Sequence, residues 1–201
     1  MANIISKRFD SAVTPSGGKA MYAKLNSRVD EYEGKRKYTV DLVFDDKDVE
    51  NRMKKFCDDT LQKAKESDEF KDKKWRTGDD LRCGYSEFKD GKLHFRFQTG
   101  AYYKDKESGE EVRKYIPIID TKKKKKVAND VSIGNGSEMR ISFFPMAYWM
   151  TKDSNGLNLY INKIAVDNLI EFGNSDDFSE FGIELDEVED DNFAADDEVP
   201  I

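Results

Sequence analysis

The sequence predicts a mainly β fold, a barrel or sandwich of about six strands with a single helix. Three observations predict it: runs in which apolar and polar residues alternate, turn signals at short spacing between those runs, and one stretch with helical spacing. One helix among five or six antiparallel strands is consistent with an OB-type barrel. The pattern alone does not distinguish a barrel from a sandwich.

The first strands follow a polar leader, residues 1–18, that is predicted to be a loop. Residues 19–28 alternate loosely between apolar and polar side chains. Residues 36–44 alternate more regularly, with Tyr38, Val40 and Leu42 on one face, and Glu33-Gly34 supplies the turn between the two runs.

A helix is predicted over about residues 46–66. Its apolar residues recur at three- and four-residue spacing, namely Val49, Met53, Phe56, Cys57, Leu61 and Ala64. Asp45, Asp46 and Asp48 stand where a cap and first-turn acids belong. Cys57 is interpreted as a buried small apolar residue. A polar loop is expected from there to about residue 90.

Four further strands are predicted in the second half of the chain. They are residues 92–98, residues 112–120 with Pro117 at an edge or bulge, residues 138–150 and residues 157–166. Lys106–Glu110 is predicted to be a hairpin turn, and Ser154-Asn155-Gly156 to join the last two strands. Four phenylalanines are expected in the core: Phe95, Phe97, Phe143 and Phe144.

The net charge of −7 is unevenly distributed. Residues 174–201 hold 12 acidic residues and no Lys or Arg, whereas residues 1–173 hold 34 basic and 29 acidic residues, a net charge of +5. The predicted organisation is therefore a basic domain, 1–173, followed by an acidic tail, 174–201. A basic domain favours a polyanionic partner. The tail would compete with that polyanion, recruit other proteins, or only confer solubility.

Several classes of protein are disfavoured by what the sequence lacks. No apolar stretch approaches 18 residues and the first ten residues have no signal-like core, so neither a membrane span nor secretion is expected. Two cysteines, Cys57 and Cys83, form no disulfide framework, and the single histidine, His94, makes a catalytic triad or zinc site improbable. No phosphate-binding glycine loop or complete calcium loop occurs. We therefore expect no enzyme, no metal and no cofactor, although acidic pairs such as Asp79-Asp80 leave a magnesium-dependent nuclease as an alternative.

Basic residues interleaved with aromatic ones are the positive signal for function. Single-stranded nucleic acid needs cations along its backbone and flat rings on which its bases stack. The candidate DNA-binding residues are Lys24, Arg28, Arg36, Lys37, Lys92, His94, Arg96, Tyr102, Tyr103, Lys104, Arg113, Tyr115, Lys122, Lys124, Arg140, Tyr148 and Trp149. For Tyr102, Tyr115, Tyr148 and Trp149, a role in the core or rim of the barrel is as compatible with the sequence. The five lysines at 122–126 are either a solvated loop or a phosphate-contacting loop.

Five stretches of the chain resemble the single-stranded DNA-binding proteins of short-tailed bacteriophages of the T7 type. They are RFDSAVTPSGGKAMYAKL at 8–25, YTVDLVFDDKD at 38–48, HFRFQTGAYYKDKESGEEVRKYIPIID at 94–120, IGNGSEMRISFFP at 133–145 and EFG at 171–173. The resemblance covers nearly the whole chain, in the same order and followed by an acidic tail.

The resemblance implies an OB-fold with an inserted helix, binding to single-stranded DNA without sequence preference, and a homodimer. It also implies a tail that shields the DNA groove and contacts the phage DNA polymerase and helicase-primase, in the cytoplasm of an infected bacterium. Arg96 matches a basic DNA-facing residue of the family, and Tyr148 and Trp149 lie in the segment that holds its DNA-contacting aromatics.

The chain also departs from the family pattern. Gly100 stands where an aromatic residue is expected and Gln98 where a lysine is, with Tyr102 or Tyr103 as substitutes. The predicted interaction tip of the tail comprises Phe193, Asp196, Asp197, Glu198, Val199, Pro200 and Ile201. It ends in Ile rather than in an aromatic residue and is similar to the acidic tip of bacterial single-strand binding proteins, which suggests a host partner.

Three hypotheses follow from the sequence. The first is a replication, recombination and repair protein that coats single-stranded DNA. The second is a protein-interaction module or DNA mimic that acts through the tail, and the third is the metal-dependent nuclease.

Overall fold

Residues 4–172 are described by the computed structural model, and the predicted acidic tail lies outside them. The strands are β1 Ile5–Arg8, β2 Ala12–Val13, β3 Gly18–Lys24, β4 Asp30–Tyr32, β5 Lys35–Phe44, β6 Tyr85–Glu87, β7 Leu93–Gly100, β8 Tyr102–Lys104, β9 Glu111–Arg113, β10 Ile118–Asp120, β11 Lys125–Lys126, β12 Glu138–Thr151 and β13 Ser154–Asn168. The helix α1 spans Lys47–Glu66, and Gly78–Asp80 form one 3₁₀ turn.

Five strands close a barrel. The pairing runs β12, β3, β5, β7, β13 and back to β12, and among these pairs only β7 with β13 is parallel. A small barrel of five strands that follow one another out of chain order is the architecture of an OB-fold. The predicted mainly β barrel is therefore confirmed, and the short remaining strands extend its edges or form a separate hairpin, β8 with β9.

The barrel interior is filled by alternate residues of each strand. Phe97 and Phe143 meet edge to face there, with ring centroids 5.1 Å apart. Phe56 of α1 packs against Phe143 at 5.8 Å, so the helix lies against the barrel core. These contacts place the polar alternates of the same strands on the outer surface, where the candidate site lies.

The helix begins and ends where the sequence predicts. Asp46 is its N-cap, and its side chain accepts hydrogen bonds from the backbone N–H groups of Asp48 (2.8 Å) and Val49 (3.3 Å). The apolar spacing buries Met53, Cys57 and Leu61 against the barrel. Burial also raises the pKa of the Cys57 thiol, which confirms the interpretation of this cysteine as a core residue.

Three predictions about elements were wrong. The leader contains β1 and β2, which both pair with β12, because pairing with a strand more than 100 residues away overrides a polar local pattern. The predicted strand 112–120 is divided into β9 and β10 around Pro117, which has no N–H to donate to a ladder. The last hairpin turns at residues 152–153, and Ser154, Asn155 and Gly156 already belong to β13.

The expected core position of Phe144 was also wrong. Its neighbours in β12, Phe143 and Pro145, are buried, whereas Phe144 lies half-buried on the outer face and stacks on Tyr160 with ring centroids 5.4 Å apart. Consecutive residues of a strand point to opposite faces, so two adjacent phenylalanines cannot both enter the barrel.

A close approach of two backbones holds the segment before β6 against β13. Leu157 N–H donates to the Arg82 carbonyl at 2.8 Å, and a Cβ on Gly156 would lie 2.5 Å from that same oxygen. Gly156 also has φ +153°, so only glycine is accommodated there without displacement of residue 82.

We therefore expect Gly156→Ala to lower the free energy of unfolding by about 2 kcal/mol or more, measured by urea denaturation. Gly100→Ala is the matched control, because its Cβ would meet nothing closer than 3.7 Å and φ there is not positive. The control should change stability by no more than about 0.5 kcal/mol. Equal stability of the two variants would show that the approach at residue 82 is not tightly constrained.

Candidate nucleic-acid interface

A groove of about 1450 Å³ crosses the outer face of β5 and β7. Strand alternation places Lys37 and Thr39 of β5 beside His94, Arg96 and Gln98 of β7 on its floor. The hairpin of β4 and β5 forms one wall, and residues 81–89 form another. The helix contributes Lys54 to the rim. We call this cavity the groove throughout.

Positive charge predominates in the groove. Its lining includes three acidic residues, Asp30, Glu31 and Glu87, and seven basic ones, Lys24, Lys35, Lys37, Lys54, Arg82, Lys89 and Arg96. Burial lowers the pKa of the Lys37 ammonium, and the neighbouring charge of Lys35 lowers it further. A bound anion would relieve that unfavourable environment, so the groove favours an anionic ligand.

A buried carboxylate at the centre of the groove organises two of its side chains. Asp41 is 1% exposed and accepts hydrogen bonds from Arg96 Nε at 2.7 Å and Arg96 Nη2 at 2.8 Å. This bidentate pair raises the pKa of Arg96 and fixes the plane of a guanidinium whose side chain remains 59% exposed. The groove therefore presents a flat cation in a fixed orientation.

The same carboxylate holds a pair of stacked rings. His94 Nδ1 lies 3.0 Å from Asp41 Oδ2, and its imidazole stacks on Phe88 with ring centroids 4.1 Å apart and planes 11° from parallel. Tyr32, on the opposite wall, is 71% exposed. Flat rings beside cations are what base stacking and phosphate binding require.

One row of outward residues continues the groove across the whole barrel. Direct register pairs Lys24 with Thr39, Thr39 with Gln98, Gln98 with Tyr160, and Tyr160 with Phe144. Gln98 accepts a hydrogen bond from Lys37 Nζ and donates one to Asn158 Oδ1, both at 3.0 Å. The ammonium of Lys37 thus stands beside the position at which the family resemblance expected a lysine.

Four of the predicted DNA-binding residues line the groove, namely Lys24, Lys37, His94 and Arg96. Six others gather at its end, on or beside the β8–β9 hairpin: Arg36, Tyr102, Tyr103, Lys104, Arg113 and Tyr115. The hairpin follows directly from Gly100, whose partner in register is Lys37 of the groove floor.

The hairpin residues differ in how free they are. Tyr103 is 51% exposed, whereas the Tyr102 ring lies 3.8 Å beneath the Arg36 guanidinium. Arg113 donates to the Tyr38 hydroxyl and to the backbone carbonyls of residues 26 and 27. Of the two substitutes considered for the missing aromatic at Gly100, Tyr103 is therefore the accessible one.

The other seven predicted residues lie outside the groove. Four of them are basic residues that contact protein groups: Arg28 covers the Phe172 ring, Lys92 pairs with Asp45, Arg140 with Asp167, and Lys122 donates to Asn168. Lys124 lies in the turn before β11 and Tyr148 on the outer face of β12. Trp149 Nε1 donates to the Lys74 carbonyl at 3.1 Å.

Sequence reasoning missed the wall formed by residues 81–89. It was predicted to be a polar loop, yet it supplies Arg82, Phe88 and Lys89 to the groove. Its Tyr85 hydroxyl donates to Asp58 at 2.8 Å, and burial raises the pKa of that hydroxyl to about 12. The three-residue β6 is too short to show alternation, so only the interleaving of cations and rings in RCGYSEFK, residues 82–89, could have signalled a contribution.

Within residues 4–172, no three His, Cys, Asp or Glu side chains are placed so that they could hold a metal ion. In the same part of the chain, no helix is long and apolar enough to span a bilayer.

Similarity to known proteins is found in structure and not in sequence. No protein-family model matches the chain, and no curated protein matches it at a significant level. The fold is similar to that of gp2.5, a single-stranded DNA-binding protein encoded by bacteriophage T7, with a TM-score of 0.61 and 22% identity over 94% of this chain and 100% of that chain.

A second similar structure is the single-stranded DNA-binding protein from bacteriophage Enc34, with a TM-score of 0.53 and 11% identity over 83% of this chain and 87% of that one. The same protein in complex with single-stranded DNA gives a TM-score of 0.54 and 13% identity over 79% of this chain and 87% of that chain. The fold expected from the sequence resemblance is thus the fold of phage single-stranded DNA-binding proteins.

Proposed function

We propose that this protein binds single-stranded DNA without sequence preference and does no chemistry on it. The observation that carries the proposal is the groove, which is lined by seven cations and by the stacked rings of Phe88 and His94. The structural similarity to two phage proteins that bind single-stranded DNA supports the same ligand.

Phosphates and bases would contact different parts of the groove. Lys37, Arg82 and Lys89 contact phosphates, and the lowered pKa of Lys37 rises again once an anion lies beside it. Bases stack on His94 and on the Arg96 guanidinium, each stacked base contributing about 1–3 kcal/mol.

The polar groups of the groove floor explain the lack of sequence preference. Gln98 accepts from Lys37 and donates to Asn158, and Arg96 is held by Asp41, so these side chains are occupied by protein partners. Recognition of a base requires hydrogen bonds to its edge, whereas stacking uses a face that every base has.

We further propose the biological setting that the resemblance implies. The protein acts in replication, recombination and repair of phage DNA, in the cytoplasm of an infected bacterium and as a homodimer. Its tail competes with DNA for the groove and recruits the DNA polymerase and helicase-primase. The similarity of fold to phage proteins supports this setting, and the 12 acidic residues of 174–201 support the role of the tail.

The test is the binding of fluorescent oligo-dT and of a duplex of equal length, followed by anisotropy across a salt series. We expect a strong preference for the single strand and a fall of log affinity with log salt of about 0.7 per phosphate contacted. Equal affinity for both forms would reject the proposal.

The second candidate is a protein-interaction module or DNA mimic, favoured by the same acidic tail. In that case residues 1–173 would bind neither DNA form, and removal of the tail would abolish capture of a protein partner. The oligo-dT experiment therefore separates the two functions.

A further inference from the structure

A basic segment that no site prediction included lies between the helix and the groove wall. Residues 71–76 read KDKKWR, and they follow the end of α1 by a few residues. The segment contains the cations Lys73, Lys74 and Arg76, with Trp75 between Lys74 and Arg76. We call residues 71–76 the basic segment.

The basic segment is fixed to the barrel through the two tryptophans of the chain. Trp149 Nε1 donates to the Lys74 carbonyl at 3.1 Å, and the Lys73 ammonium lies 5.2 Å from the Trp149 ring centroid. Trp75 packs edge to face on Phe70, which is fully buried, at 5.3 Å. The cations therefore occupy defined positions on the surface and are not carried by a free loop.

The basic segment meets β13 a short distance from the groove. Arg76 N–H donates to Asn155 Oδ1 at 3.0 Å, and the Leu157 N–H donates to the carbonyl of Arg82, a groove residue. Asn158, three residues beyond Asn155 in the same strand, lines the groove. At about 3.3 Å per strand residue, Asn155 and Asn158 are about 10 Å apart, so Arg76 begins within two nucleotides' reach of the groove.

Three of the four cations of the basic segment are not neutralised by a carboxylate that the structure describes, and the fourth, Lys71, pairs with Asp68. Lys54, Lys55 and Lys71 each form an ion pair with an aspartate. By contrast, Lys73, Lys74 and Arg76 form none with any carboxylate that the structure describes. Arg76 Nη1 instead donates to the Asp80 carbonyl at 3.3 Å. Lys74 is exposed, and Lys73 and Arg76 are half-buried. Three cations without a carboxylate partner near a basic groove suit a polyanion that runs past its end.

We infer that the basic segment is a second phosphate-binding site, where Lys73, Lys74 and Arg76 contact the backbone of single-stranded DNA as it leaves the groove. The inference rests on the proposed function. It adds the direction in which a longer strand runs, which is toward the β12–β13 hairpin. A short oligonucleotide fills the groove alone, and a longer one also reaches the basic segment.

The test compares the salt dependence of binding for two oligo-dT lengths, about 6 and about 16 nucleotides, within the range that one OB-fold covers. In the full-length protein, Lys73→Gln/Lys74→Gln should lower the slope of log affinity against log salt by about 1.4 for the longer strand, since each phosphate contact adds about 0.7. The slope for the shorter strand should not change.

Two further variants serve as controls. Lys55→Gln/Lys63→Gln makes the same change of charge at exposed positions of α1 and should leave both slopes unchanged. Lys73→Arg/Lys74→Arg keeps the charge and should retain the slope of the unaltered protein. Thermal unfolding of each variant confirms that it is folded.

Tryptophan emission gives an independent readout, because both tryptophans of the chain lie in or against the basic segment. At one oligonucleotide bound per chain, the longer strand should change the emission and the shorter one should not. The inference would be overturned if Lys73→Gln/Lys74→Gln left the slope for the longer strand unchanged. It would also be overturned if this variant lowered the slope equally for both lengths, or if the α1 control lowered the slope as much as this variant does. Tighter binding of both lengths with a steeper slope would instead assign the lysines to the acidic tail, and would also overturn the inference. Failure of either strand to bind the unaltered protein would reject the proposed function itself.

Discussion

Lys37→Gln/Arg82→Gln is expected to weaken binding of oligo-dT about 100-fold and to lower the salt slope by about 1.4, with no loss of stability. Each side chain lines the groove, and neither forms an ion pair with a carboxylate that the structure describes. Loss of two charge-assisted contacts of about 1.5 kcal/mol each gives the fold-change, and loss of two phosphate contacts gives the slope.

Lys37 is chosen for substitution because the pKa of its ammonium is lowered in the free protein. Burial and the charge of Lys35 both disfavour the ammonium, so the free protein bears an electrostatic cost at this residue. Removing the charge relieves that cost in the free protein while abolishing the contact in the complex. If Lys37 and Arg82 only stabilised the fold, their substitution would lower the free energy of unfolding and leave the affinity for oligo-dT unchanged.

The matched control is Lys55→Gln/Lys63→Gln, which removes two charges from exposed positions of α1 that do not line the groove. Anisotropy titrations at several salt concentrations measure all three proteins. A control that weakens binding as much as the groove variant would show that net charge and not the groove determines affinity.

The parts of this fold that local chemistry determines could be predicted from the sequence. The helix was predicted to within one residue, because the Asp46 cap and the apolar spacing that follows lie within a few turns of each other. The long strands β5, β7, β12 and β13 were found because each repeats the alternation often enough to be recognised. Strands β1 and β2 were not, because they contain few residues and depend on a partner distant in the chain.

The candidate site divides in the same way. Arg96 and His94 were found because alternation in β7 places them on the polar face. The sequence did not reveal how these two side chains are held, because both are bound by Asp41. The alternation of β5 assigns Asp41 to the solvent side, yet it is buried beneath Arg96 and His94. Arg82 and Lys89 reach the groove only because the backbone at residue 82 meets β13 at Gly156, a contact between segments that are 74 residues apart.

Deletion of residues 174–201 is expected to tighten binding of oligo-dT by about tenfold at low salt, a coupling of about 1.4 kcal/mol. The last described residue, Phe172, donates its N–H to the Ser132 carbonyl, and its ring lies 4.2 Å beneath the Arg28 guanidinium. Arg28 precedes Asp30, which begins the groove wall. The described part of the chain therefore ends against a residue that lies two positions before the groove wall, and 28 further residues can span up to about 90 Å at about 3.3 Å each.

The salt dependence separates competition from a general effect of charge. A tail that DNA has to displace would take up counterions again at its freed acidic residues, and so would reduce the net release of counterions on binding. The truncated protein should therefore show a steeper slope, and the two affinities should converge as salt screens both interactions. Deleting only Asp196–Ile201 removes three of the 12 acidic residues and all of the predicted interaction tip except Phe193, and should produce only part of the gain. An affinity that truncation leaves unchanged at every salt concentration would reject the competing tail, and a full gain from the six-residue deletion would assign competition to the tip and not to the distributed charge.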